Sequence, residues 1–542
     1  MTDSINTMPA VPGTETWRAV IIPFEASRDY ANPFLDLEVW ATFTGPSGRV
    51  IRREAYWDGG RTWRVAFAPT EVGTWRYVLE APADSGLDGV SGAIEAVPYA
   101  GDLAIYRYGF LKVSQNGRYL EHADGTPFFW LGDTHWEFAF RERWDESNHP
   151  EMDSMFRGMI DRRAAQGYTV YQTNLRSDFG PGKEKYWTED REGRPLPNVA
   201  FYQQELDRRM AYLADAGLVN ALGQAWAGSV AGEGGIERQQ RLARYIVARY
   251  GALPVVWTLA GEVAGYNPDQ RDELIAGWRE VAREYERRDG YGTLQTAHYT
   301  NERPFADYYQ DEDWFDFTLN QAGHGDYLIT AADYIDYLAL HGDKPFIEGE
   351  ALYEYCSTLE EMGTRLCTDD MLRRVAYLSI QLGGCGYTYG AQGIWDVIWE
   401  KPEKPDPFME VFNRFCITWA QAIDGPGGEQ MGFMRRFYEE NRFWELAPYE
   451  TAGASGNLFA KKAPVVSATG DLSRIVAYYG DTARKPFTVD GLDASAAYTM
   501  RWFDPRLGTY RTGEEVTSEQ GSLVLPAKPG TGDWLLVLER AR

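Results

Sequence analysis

The sequence predicts a central (β/α)8 barrel flanked by an N-terminal immunoglobulin-like β-sandwich and a C-terminal β-sandwich. Three observations carry this. The 542 residues are more than one hydrophobic core organises and suggest about three domains. Between residues 104 and 450, eight short apolar runs alternate with longer amphipathic stretches, as in a parallel sheet covered by helices. On either side, over residues 14–103 and 451–542, the chain reads as short period-two strands between turn residues.

In the first segment the apolar alternation runs through Leu35, Leu37, Val39, Ala41 and Phe43. It resumes through Trp63, Val65 and Phe67, then Trp75, Tyr77 and Leu79, with turns at Gly45–Gly48 and Gly59–Gly60. The eight runs of the middle segment are Phe128–Trp136, Thr169–Leu175, Val219–Trp226, Pro254–Glu262, Leu294–Tyr299, Phe315–Gly323, Pro345–Ala351 and Cys385–Gly393. Helical periodicity separates most of them, over Met152–Gln166, Leu206–Ala216, Arg238–Arg249, Arg271–Arg287, Ala331–His341 and Asp369–Leu382. A doubly wound open sheet is the competing fold, but no GxGxxG follows the first run. The last segment has strands at Ile475–Tyr479, Tyr498–Phe503, Leu523–Pro526 and Trp534–Leu538.

A barrel of this kind builds its site at the C-terminal ends of its strands, so the residues ending the runs are the candidates. Run one ends in Asp133, His135 and Trp136, run two in Asn174, run three in Gln224 and Trp226, and run four in Glu262. Runs five and six end in His298, Tyr299, Asn320, Gln321 and His324; runs seven and eight end in Glu348, Glu350, Tyr387 and Tyr389. A single glutamate at a strand end is usually a surface carboxylate. Two of them, after apolar strands on opposite sides of one barrel mouth, match the needs of glycoside cleavage. One acid protonates the leaving oxygen, and one carboxylate attacks or activates water. Glu262 and Glu350 are therefore the expected catalytic pair. Glu348 and Glu350 lie two apart and share a face of an ideal strand; Glu350 is favoured because it lies nearer the mouth. Trp136, Trp226, Tyr353, Tyr389 and Trp395 are expected to wall a sugar pocket, and Asp133, His135, Asn174, His298, Gln321 and His324 to bind hydroxyls.

Composition narrows the partners. A net charge of −26 without a basic cluster excludes nucleic acid as the expected partner, and no apolar run approaches the roughly 20 residues that cross a bilayer. The aromatic share of 14% suits sugar stacking and core packing alike. The six histidines are isolated, with no HxH or HExxH spacing, so neither metal nor cofactor is expected. Cys356, Cys367, Cys385 and Cys416 lack CxxC spacing and read as reduced thiols. With no basic start and apolar h-region in residues 1–17, the expected location is cytoplasmic. A homo-oligomer is compatible with all of this. A non-catalytic carbohydrate-binding barrel and an endo-acting glycanase stay open as alternatives.

The motifs of the middle segment resemble the apiosidase-like glycoside hydrolases. They are Leu131–Trp136 (LGDTHW), Asn320–Gly325 (NQAGHG), Lys344–Glu354 (KPFIEGEALYE) and Thr388–Trp395 (TYGAQGIW), the last being the most specific. The resemblance spans the barrel, and Trp502–Gly508 (WFDPRLG) extends it into the last segment. It implies a retaining exo-glycosidase with the acid/base after strand four and the nucleophile after strand seven. Two positions depart from it: such sequences usually carry Asp where this chain has Glu262, and Pro where it has Ala351. The longer acid arm shifts where the leaving oxygen must sit, so the resemblance does not carry apiose specificity with it.

Overall fold

The computed structural model describes residues 13–175, 185–301, 307–324, 343–357, 365–401, 414–449 and 464–541, except 482, 484 and 485. The helix expected over 331–341 lies outside them. Seven of the eight runs form one parallel sheet. Its order is Val255–Gly261, Val219–Trp226, Val170–Asn174, Trp130–His135, Gly386–Tyr389, Phe346–Glu350 and Thr318–Gln321. All seven strands are buried along nearly their whole length, as a sheet covered on both faces requires.

The two edge strands approach each other through the fifth run, and the sheet is a nearly closed barrel. That run does not form the ladder its apolar pattern predicts. It makes one parallel bridge on each side, Gln295 to Trp257 and His298 to Leu319, supported by backbone hydrogen bonds from Thr296 N to the Trp257 carbonyl at 2.8 Å and from Tyr299 N to the Leu319 carbonyl at 3.2 Å. The run is rich in side chains with other polar partners: the Gln295 amide reaches the Ala282 carbonyl and the Thr296 hydroxyl the Phe317 carbonyl. It is a seam rather than a strand.

Five of the predicted helices form within a few residues of their expected ends: Met155–Ala165, Asp207–Asp215, Gly235–Tyr250, Arg271–Arg288 and Asp369–Gln381. Arg271–Arg288 shows why. Leu274, Trp278, Val281, Ala282 and Tyr285 bury one stripe, Asp272 and Glu273 sit in the first turn, and Arg287 and Arg288 in the last, which matches the helix dipole. A helix over Pro426–Glu440 was not expected, because its opening Pro-Gly-Gly reads as a turn.

Residues 14–97 form a five-stranded and a three-stranded sheet around one apolar core, in which Phe43 stacks on Phe67 with centroids 3.8 Å apart. The alternation at Leu35 misleads locally. Asn32 caps a short helix over Pro33–Asp36, accepting from Leu35 N, and the strand starts at Trp40. Arg249, Arg244 and Arg288, on the two helices that follow the third and fourth strands, pair with Asp58 and Glu54 of these sheets. That fixes the outer layer behind Glu262. After the barrel, the described residues of 447–449 and 464–540 build a second two-sheet unit with its own core.

Candidate active site

Glu350 ends the seventh run and Glu262 follows the fourth. Glu350 is buried and lies between two imidazoles: His298 Nε2 is 3.1 Å from one carboxylate oxygen and His324 Nε2 is 3.2 Å from the other. Burial alone raises the pKa of this carboxyl, but the hydrogen bonds and charge of His298 and His324 outweigh it and hold the group well below the usual range. Glu262 is shifted the other way. Burial, and then the charge of Glu350, raise it above its ordinary value, against hydrogen bonds from Tyr266 and Gln321. The Gln321 amide donates to Glu262 Oε1 at 3.1 Å, and the Tyr266 hydroxyl donates to the same oxygen. His298 links the pair, since its Nδ1 also accepts from the Glu262 backbone N–H at 3.4 Å. Glu262 itself has φ of +54°, left-handed backbone that a non-glycine residue adopts only where its surroundings impose it.

A β-bulge separates the two glutamates of run seven. Asn320 pairs with Glu348, but the next residue, Gln321, pairs with Glu350, so Gly349 is an extra residue. The bulge turns Glu350 to the opposite face from Glu348 and breaks the period-two rule that places them together. Only glycine fits there, because a Cβ on Gly349 would lie 2.5 Å from the Leu319 side chain. Glu348 then spends both oxygens internally, accepting from Asn320 Nδ2 at 2.7 Å and Ala322 N at 2.9 Å.

Around Glu350 stands a small aromatic cluster of Trp136, Tyr353 and Trp395 with Cys356, and Trp226 packs against it. Trp136 meets Trp226 and His298 edge-on at 5.6 and 5.4 Å, and Tyr353 meets His324 at 4.6 Å. Four of the five expected wall residues are thus together. Asn174 lies nearby within the barrel, its amide donating to the Ala225 carbonyl at 2.8 Å.

Three expected sugar-binding residues are elsewhere. Asp133, His135 and Tyr389 point to the helix layer, because the pleat sends Thr134, Gln172 and Thr388 inward and their neighbours outward. The inward Gln172 reaches the Gly349 carbonyl at 3.0 Å and accepts from Thr388. Asp133 instead binds Arg163 of helix Met155–Ala165, and His135 lies between Asp133, at 2.9 Å, and Glu142, at 2.6 Å. Tyr389 donates to Glu354 at 2.7 Å, and Glu354 in turn accepts from the Gly427 N–H at the start of helix Pro426–Glu440. With both ring nitrogens of His135 facing carboxylates, this network has no N–H directed into the mouth. Tyr266 is the contact to Glu262 that sequence reasoning missed; its signal is an aromatic four residues after the acid, just past a Gly265 turn.

Residues 114–445, more than half of the chain, match the model of the apiosidase-like catalytic domain. The chain belongs to the apiosidase-like family. It is a glycosidase, as the motifs at the ends of runs one, six, seven and eight led one to expect. Residues 13–82 match a domain of unknown function, DUF5060. Among solved structures, this apiosidase-like chain is similar to a Bacteroides vulgatus protein carrying a provisional glycoside hydrolase assignment. The identity is 17%, the TM-score 0.73, and coverage is 98% of this chain and 100% of that one. It is also similar to a glycoside hydrolase family 5 structure from Bacteroides vulgatus, at 20% identity and a TM-score of 0.62 over 80% of this chain and 93% of that one. Likeness at these identities shows the shared fold. No curated protein matches the chain. Among the described residues there is no cluster of His, Cys, Asp and Glu able to hold a metal, no helix long and apolar enough to cross a membrane, and all four cysteines are free and buried.

Proposed function

We propose that this glycosidase is a retaining, exo-acting enzyme that removes a terminal sugar by double displacement, with Glu350 as nucleophile and Glu262 as acid/base. The observation that carries the reading is the opposite displacement of the two carboxyls: Glu350 is held ionised by two imidazoles, while Glu262 is pushed toward its protonated form. Two carboxyls whose surroundings drive them apart are the acid and the nucleophile of such a site. In the first step a Glu350 oxygen bonds to the anomeric carbon as the glycosidic C–O bond breaks, and the Glu262 proton passes to the leaving oxygen. In the second step Glu262 takes a proton from water, the water oxygen bonds to that carbon, and Glu350 departs. The bulge favours Glu350 over its neighbour, since it leaves Glu348 on the opposite face of the strand. The aromatic cluster crowding one side of Glu350 supports a pocket for a single terminal sugar. The fold we assign to this activity is a (β/α)8 barrel with the 294–299 seam as its shortened fifth strand.

Hydrolysis of a panel of 4-nitrophenyl pyranosides and furanosides of both anomers, followed by proton NMR of the first product, tests it. The expected product keeps the substrate's anomeric configuration, and the two carboxyls lie about 5–5.5 Å apart in a glycosyl-enzyme complex. An inverted first product overturns the double displacement. Release of internal fragments from an oligosaccharide, in place of monosaccharide, overturns exo action. The Glu262→Gln variant should lose about 10²–10⁴-fold on poor leaving groups and recover turnover of the activated aryl glycoside with azide.

A further inference from the structure

The loop after run four carries a feature that the two-carboxylate scheme leaves unused. Tyr266 is 64% exposed, yet its hydroxyl is tied to Glu262 Oε1. Its tether is fixed: Val263 and Ala264 are fully buried, and Gly265 N closes the turn onto the Glu262 carbonyl at 2.7 Å. The ring therefore stands in solvent beside the acid, held by a turn anchored in the core. Isolated exposed aromatics are ordinary on a protein surface; one whose only polar atom is bonded to a partly buried carboxyl at the barrel mouth is not.

The two donors on Glu262 divide its oxygens. Oε1 accepts from both Tyr266 and Gln321. A carboxyl proton is disfavoured on an oxygen that already accepts two hydrogen bonds, so Oε2 carries it. The departing group must bring its oxygen to Oε2, and Tyr266 flanks that carboxyl on the solvent side. We propose that Tyr266 is the leaving-group-side residue of this site: its hydroxyl orients the Glu262 carboxyl so that Oε2 presents the proton, and its exposed ring forms a face for a flat or sugar-like aglycone. The inference rests on the acid/base reading of Glu262. Tyr266 is a positioning residue for the proton transfer and a contact for the departing group. The charged or titratable groups acting on Glu262 are Tyr266 from its own loop, Glu350 from run seven and His298 from run five.

The test compares Tyr266→Phe, Tyr266→Ala and Glu262→Gln on the 4-nitrophenyl and methyl glycosides of whichever sugar the panel selects. The alkaline limb of kcat/KM reports the acid in the free enzyme. Loss of the tyrosine hydroxyl removes a donor that stabilises the carboxylate, so the limb moves to higher pH in both Tyr266 variants, by about half a unit or more. Tyr266→Phe keeps the ring and keeps KM for the 4-nitrophenyl glycoside; Tyr266→Ala raises it about three- to tenfold, with KM for the methyl glycoside unchanged. A wild-type limb in Tyr266→Phe, or a KM in Tyr266→Ala that is unchanged or rises equally for both substrates, overturns the proposal. If Glu262→Gln keeps full activity on the methyl glycoside, the acid/base reading itself falls. A wild-type limb in Tyr266→Phe beside a Glu262→Gln variant that needs an activated leaving group overturns the Tyr266 role alone.

Discussion

Two carboxylate–imidazole groups sit at the same end of the barrel and are built in opposite order. At the end of run one, a single imidazole, His135, lies between two carboxylates, Asp133 and Glu142, with Arg163 closing the group. At the end of run seven, a single carboxylate, Glu350, lies between two imidazoles, His298 and His324. In the first, burial disfavours the imidazolium, but the charges of Glu142 and Asp133 outweigh it and raise His135 to about 9. The cation is permanent near neutral pH and matched on the spot by its neighbours. In the second, the carboxylate is held ionised by imidazoles on both of its oxygens, beside an aromatic cluster. The same residue types thus give a strut in one place and the surroundings of the proposed nucleophile in the other. What separates them is which sign is in the minority and which face of the pleat carries it.

The contrast breaks or sharpens under mutation. Glu350→Gln should lower kcat by at least about 10⁴-fold with the melting temperature nearly unchanged; full activity in this variant with a dead Glu348→Gln would transfer the role across the bulge. Asp133→Asn should do the reverse. It leaves Arg163 and His135 buried beside a neutral amide, at a cost of about 3–5 kcal/mol, read as a lower urea midpoint, while turnover per folded molecule persists. Replacing His324 by Gln should cost about 10–100-fold in kcat/KM. It also removes a donor that lowers Glu350, so the acidic limb of the pH profile moves upward; an unmoved limb would mean that the imidazole only packs against Tyr353. The smallest effect is a pH slope in stability. The folded-state value of His135 lies above the 6.5 of a free imidazole, so its contribution is complete below pH 6.5 and is lost as pH rises through about 9. Between pH 7 and 9 the unfolding free energy should fall by about 1–2 kcal/mol, and His135→Gln should flatten that slope.

Most of the scaffold could be read from residues alone because its signals are local. Val255–Leu259 and Phe346–Ile347 are buried strand material in any setting, and the stripe through Leu274, Trp278 and Tyr285 has one way to fold. The fifth run was not readable, because whether Leu294–Tyr299 forms a ladder or a two-bridge seam depends on how far its neighbours stand apart. The site divides similarly. A strand-end position was enough to bring Glu262, Glu350 and the tryptophans to one mouth. It was not enough to orient Asp133 or Tyr389, which share a register pair on the outward face, nor to foresee that Gly349 re-aims Glu350. Pleat parity past a bulge is a property of two strands together, and one strand's sequence does not contain it.

The left-handed backbone at Glu262 has a consequence for how this position can vary. Asp and Asn tolerate that conformation better than a longer side chain does, and Asp is the residue that apiosidase-like sequences usually carry there. If Glu262 is the acid proposed above, glutamate keeps the less comfortable backbone in exchange for one more methylene of reach toward the bond to be cut. Drift from Glu to Asp at 262 would then relax the turn and withdraw the proposed proton donor in a single step, so that robustness and choice of leaving group are traded against each other at one codon.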